Sequence, residues 1–149
     1  MAEQTIAKTT RKVLVILLDG RQILGEVFLS LYGAHHTGQQ QLGELLNGDE
    51  KFIPFKTANL VSILNTEQIL MVRTDGKEEL DELMILGKKY SVHVATPHQK
   101  VLQGDVYVNL PEATCRVRDW LNQPIDFLRL FLPDDIIYLN RKQIISVQD

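Results

Sequence analysis

Apolar residues in this chain recur mostly at every second position, in short runs separated by turn-forming pairs. KVLVILL, ILGEVFLSL, FIPFKT, NLVSILN and QILMV are rich in Val, Ile, Leu and Phe, and Asp19-Gly20, Asn47-Gly48 and Asn65-Thr66 punctuate them. Alternation of period two bounded by such pairs predicts five short strands. In GEVFLSL it places Val27, Leu29 and Leu31 on one face and Glu26, Phe28 and Ser30 on the other. The first strand is apolar on both faces, with Val13, Val15 and Leu17 opposed to Leu14, Ile16 and Leu18. Leaving that second set in water forgoes about 1.5–3 kcal/mol of burial per side chain. Leu14, Ile16 and Leu18 are therefore a candidate apolar interface, to be covered by the rest of the chain or by a second subunit.

The pattern returns in the second half. GEVFLSL (Gly25 to Leu31) reappears as GDVYVNL (Gly104 to Leu110), LLNGDEKFIPF as WLNQPIDFLRL, and LNTEQILMV as LNRKQIISV. The offset is 79 residues in the first block and 75 in the later two, so the first copy carries four extra residues in the loop between Tyr32 and Leu42. Recurrence in order and spacing predicts an internal duplication. Each copy also carries one helical turn before its third strand: GELLNGD between Gly43 and Gly48, and VRDWLNQP with Asp119 as N-cap. Between the copies, Lys77 to Leu86 places Leu80, Leu83 and Met84 at helical spacing, with Thr74 or Asp75 as cap and Gly87 as stop. The expected architecture is mainly β. Two tandem five-stranded small barrels of the Sm-like or SH3-like kind span residues 12–72 and 90–148, joined by a linker with a short amphipathic helix over 73–89.

Composition narrows the chemistry. With 149 residues, 44% hydrophobic, and a net charge of −3, the chain has the make-up of an ordinary globular protein, without the broad basic surface that nucleic acid phosphates demand. The single cysteine, Cys115, excludes an internal disulfide framework and points to the cytoplasm. No stretch approaches the roughly 20 apolar residues of a membrane span, so no membrane partner is expected. Motifs that cradle phosphate, activate a serine or hold zinc are absent, and no cofactor, metal or catalytic residue is expected. His35 and His36 read as a solvated loop, and His93 and His98 have no nearby nucleophile.

Two groups of residues remain as candidates. The paired asparagines, Asn47 with Asn122 and Asn65 with Asn140, suit bends, where this side chain bonds its own backbone and tolerates the left-handed conformation; the alternative is that they and Gln68 and Gln143 hydrogen-bond a base or a peptide. The basic stretch Arg116, Arg118, Arg141 and Lys142, with Asp119, is the candidate interaction or RNA-contact set. Yet Tyr90 to Asp149 holds six basic and seven acidic residues, and Trp120 falls on a core position matched by Leu45. DNA is not expected as a partner.

Arg118, Asp119, Leu121, Asn122, Phe127, Asn140 and Ile144, and in the first copy Leu46, Asn47, Phe52, Asn65 and Ile69, resemble the pattern of a bacterial domain of uncharacterised function. The first copy departs from it, with Leu42 and Glu44 where the second has Val117 and Asp119, and it lacks the arginine. More distantly, ILLDGRQILGEVFLSL is similar to the opening strands of Sm-like proteins. LNTEQILMV has the spacing of their second signature, with Asn65-Thr66 in place of the Arg-Gly that helps line the RNA site. The expectation is a non-enzymatic protein-interaction or adaptor module in a bacterial assembly, with a protein partner or self-association. An Sm-like RNA-binding protein is the alternative.

Overall fold

Alternation along the chain is converted into strands almost wherever it occurs. The computed structural model describes residues 8–31 and 39–149, so the expectation for His35 and His36 lies outside the described residues. The first half contains β1 (Lys8–Leu17), β2 (Gln22–Ser30), α1 (Leu42–Leu46), β3 (Phe52–Thr57), β4 (Leu60–Asn65) and β5 (Ile69–Asp75). A linker with the short α2 (Gly76–Glu79) leads to β6 (Lys88–Thr96), β7 (Lys100–Val108), α3 (Val117–Leu121), β8 (Phe127–Phe131), β9 (Asp135–Asn140) and β10 (Ser146–Gln148). The inward phase of the first hairpin is as expected at Val13, Val15 and Val27, which are buried, as are Val92, Val94 and Val106 in the second, whereas Leu31 lies past the end of β2 and is 41% exposed. Trp120 lies in the second core.

All ten strands of the described residues belong to one antiparallel sheet, in the order β10-β6-β7-β8-β9-β5-β1-β2-β3-β4. The two halves therefore have the same internal order, β5-β1-β2-β3-β4 and β10-β6-β7-β8-β9. The two closed five-stranded barrels expected from the sequence are not formed. Closing each half on itself would pair β5 with β4 and β10 with β9. Instead β9 joins its outer edge to β5, with Met71 opposite Leu139 and Val72 opposite Tyr138. One open sheet results, ending at β4 and β10.

Within each half the second and third strands pair only briefly, and a matched glycine sits beside each short joint. β3 meets β2 at only Glu26↔Lys56 and Val27↔Phe55, and β8 meets β7 at Asp105↔Phe131. A Cβ on Gly25 would sit 2.6 Å from the Lys56 carbonyl oxygen, and one on Gly104 2.6 Å from that of Phe131. Backbone approach that close excludes any side chain.

Two apolar clusters form the core, and each borrows from the other half. The N-terminal cluster, built on Val13, Val15 and Leu29, includes Phe127, Ile136 and Tyr138; the C-terminal one, built on Val92, Val94 and Val106, includes Ile16, Leu70 and Met71. Among the described residues no helix is long and apolar enough to cross a membrane.

Two local expectations are corrected. The linker is not one amphipathic helix over Lys77 to Leu86: α2 ends as Leu80 turns extended, and a separate 3₁₀ turn follows at Glu82–Ile85, with the Asp81 side chain accepting from the Leu83 N–H. Leu80 and Leu83 are exposed and only Met84 of the stripe is buried. Asp119 is not the N-cap of α3. Arg116 holds that position, and Asp119 at the third helical residue accepts from the Arg116 N–H at 3.2 Å. α1 starts the same way, with the Gln41 N–H donating to Glu44 at 2.9 Å.

Substituting Gly104→Ala or Gly25→Ala is expected to cost about 1–3 kcal/mol, the range for overpacking a filled interior, read as a lowered urea midpoint with unchanged slope.

Candidate functional site

The groups best suited to chemistry are held apart or already engaged. His93 is exposed on β6, between Gln103 of β7 and Gln148 of β10. The His98 Nε2 lies 2.7 Å from the Leu18 carbonyl and links the β6–β7 turn to the β1–β2 turn. The half-buried Cys115 thiol donates to the Val108 carbonyl at 3.0 Å. Asp135 pairs with Arg73 at 2.6 Å. Among the described residues no group of three or more His, Cys, Asp or Glu could hold a metal ion.

Nor does the fold gather the basic candidates into one patch. Arg116 is closed onto Asp119, Nε to Oδ2 at 2.7 Å, and the guanidinium holds that carboxyl below its usual range. Arg118 is exposed on the same turn. Arg141 turns inward to the Ile125 carbonyl at 2.9 Å. Lys142 lines a shallow hollow between the halves together with Lys51, Glu67 and Asp126, so the cations there face carboxylates. Of the apolar candidates, Leu14 is half-buried on β1, while Ile16 is 8% exposed and it and Leu18 pack on the C-terminal cluster.

What the fold does gather lies at the seam between β5 and β9. Glu79 of α2 is 2% exposed, and its carboxylate accepts from Arg11 Nη1 (2.8 Å), the Leu42 N–H (2.9 Å), the Gly43 N–H (3.2 Å) and the Tyr138 hydroxyl (2.5 Å). Arg11 itself is 4% exposed and also donates to the Glu78 carbonyl. Arg129 donates to the Tyr138 oxygen at 3.1 Å with its guanidinium over the ring. Burial pushes the Tyr138 hydroxyl well above the ordinary tyrosine value; the Glu79 charge adds to this and Arg129 opposes it. The sequence reasoning missed this cluster. Its signal was there: Arg11 shares the inward phase of Val13, Val15 and Leu17, and a cation on a core face requires a buried anion.

The paired asparagines divide by their position relative to this seam. Asn47 crosses it, with Nδ2 donating to the Phe127 carbonyl at 3.1 Å and Oδ1 accepting from the Phe127 N–H at 2.7 Å, as a neighbouring strand would. Asn122, its counterpart, turns back on its own helix to the Arg118 carbonyl. Asn140 caps a 3₁₀ turn through the Lys142 N–H and also crosses the seam, Nδ2 to the Ile69 carbonyl at 2.8 Å. Asn65 caps the equivalent turn through the Glu67 N–H. None of the four is left-handed; their φ values run from −64° to −95°. Lys51 and Asp126 add an ion pair across the seam at 2.5 Å.

The two outer strands are the seam's unpaired equivalents. β4 exposes Leu60, Val61 (55%) and Ile63 (62%), and Ile145 beside β10 is 67% exposed. No charge or proline interrupts LVSILN, although such residues commonly protect an open edge. Comparison with protein-family models, curated proteins and solved structures finds no match to this chain.

Glu79→Gln removes the buried carboxylate from Arg11 and leaves only the exposed Glu78 at 3.9 Å, and a loss of about 3–5 kcal/mol is expected in urea unfolding. The raised Tyr138 hydroxyl gives a signed pH effect. Its stabilisation is complete below the ordinary value near 10 and is lost as pH rises from there towards the elevated folded value, because the unfolded tyrosine ionises first. Stability of the wild type is expected to decline above pH 10 more steeply than that of Tyr138→Phe, measured by denaturant titration at each pH.

Proposed function

We propose that this protein is a non-enzymatic interaction module, a subunit or adaptor of a larger assembly, that makes its contacts by strand addition at the ends of its sheet. One observation carries the reading: β4 ends the sheet with an uncharged edge on which Leu60, Val61 and Ile63 are more than half exposed. Main-chain N–H and C=O groups along such an edge supply affinity, and alternate side chains supply selectivity. The same strand order in both halves, with the recurring sequence blocks, supports two copies of one ancestral unit specialised for edge contact. Opposed to the RNA alternative are the scattered basic residues, with Arg116 paired to Asp119 and Arg141 to a carbonyl.

Affinity capture from lysate separates the two. The wild type is expected to return protein, and Ile63→Lys to lose it while keeping a native circular dichroism spectrum. Capture of RNA without protein would overturn the reading if affinity fell log-linearly with salt and was lost on neutralising Arg116, Arg118, Arg141 and Lys142.

A further inference from the structure

The seam between the halves is a worked example of how one end of this sheet can bind the other. We infer that the free ends are partners: β10 of one copy of this chain pairs antiparallel with β4 of the next, repeating the β5·β9 seam between molecules. This rests on the interaction reading above and names its partner as a second copy.

The correspondence is residue by residue. Across the 75-residue offset β9 matches β4, and β5 matches the segment that includes β10. At the seam, Ile136 and Tyr138 of β9 enter the neighbouring core at 2% and 1% exposure; the matching Val61 and Ile63 of β4 stand at 55% and 62%. Leu70 enters the other core at 1%, and its match Ile145 is 67% exposed. Phe127, clamped by Asn47, is 2% exposed, and its match Phe52 is 60% exposed. Ile136, Tyr138, Leu70 and Phe127 thus each have an apolar counterpart left in water at the outer ends, whereas Met71 is matched by Ser146.

Some of the seam's polar contacts have counterparts as well, although the Glu79 cluster has none, Tyr138 being matched by Ile63. Asn122, whose match Asn47 clamps Phe127, is positioned to clamp the backbone of Phe52 in the next copy. Asn65, whose match Asn140 donates to the Ile69 carbonyl, is positioned to reach the Ile144 carbonyl. Charge is complementary too, since the seam sets Lys51 against Asp126, and the intermolecular contact again brings an Asp126 to a Lys51. The register transfers directly: Val72↔Tyr138 becomes Val147↔Ile63, and Met71↔Leu139 becomes Ser146↔Leu64.

A β10-to-β4 contact joins two different surfaces, so it propagates head to tail, closing into a ring or running on as a filament according to the rotation at each joint. Both give a mass well above one chain. Light scattering of the purified full-length protein over a concentration series is expected to show an assembly built from multiples of 17.0 kDa. Ile63→Lys and Ile145→Lys are each expected to reduce it to one chain while retaining a native circular dichroism spectrum. Register is tested without disturbing the fold: in a Cys115→Ser background, Ile63→Cys and Val147→Cys proteins are mixed and oxidised with copper–phenanthroline. The mixture is expected to give a disulfide-linked pair at least tenfold above either protein alone. No pair in the mixture, or equal cross-linking of each variant with itself, overturns the inference. A wild type of one-chain mass at every concentration also overturns it; the interaction reading then survives if Ile63→Lys still abolishes capture of a different protein, and falls with it if nothing is captured.

Discussion

The carboxylate of Glu79 takes hydrogen bonds from four donors drawn from β1, α1 and β9, and the geometry of the seam follows from that one constraint. A carboxylate removed from water must recover its hydration from fixed donors, and only one arrangement of these elements supplies them all. Arg11 brings β1 under α2, the Leu42 and Gly43 N–H groups hold the start of α1, and the Tyr138 hydroxyl holds β9. With α1 placed, Asn47 at its end is aimed at Phe127. Polar satisfaction at one buried point thereby sets the position of the second half against the first.

Apolar packing then extends the contact. Ile136 and Tyr138 enter the N-terminal core while Leu70 and Met71 enter the C-terminal one, so neither half completes its interior alone. Strand pairing between β5 and β9 satisfies backbone groups that would otherwise face water or a foreign strand. At the far ends of the sheet the same types of residue meet no neighbour. The contrast between buried Tyr138 and exposed Ile63, or between Leu70 and Ile145, comes from neighbours rather than from composition. The functional reading rests on that contrast.

Strand content was legible because pleating imposes its period directly on the sequence. Val27 and Leu29, and Val106 and Val108, are buried where alternation places them. Helical turns were legible in position but not in their first residue. In a capping box the acidic side chain sits three residues inside the turn, so Asp119 read as the cap that Arg116 provides. The linker stripe was misread for a related reason: Leu80, Leu83 and Met84 have helical spacing, yet Asp81 opens a new turn between them. Arg11 on a core-facing phase announced a buried anion, but nothing nearby in sequence identifies Glu79, 68 residues away, as that anion.

Taken alone, the amino-acid sequence determined the mainly β class, the strands and their inward faces, the matched glycines and asparagines, and the lack of a recognisable catalytic motif. These are local properties, set by side-chain periodicity and turn chemistry within a few residues. Only the tertiary structure decided that β9 joins β5, that the halves share an open sheet instead of closing separately, and that Asn47 and Asn140 reach across while Asn122 and Asn65 do not. Strand edges present the same N–H and C=O groups whatever their side chains, so the choice between edges is made by distant groups that must be buried together.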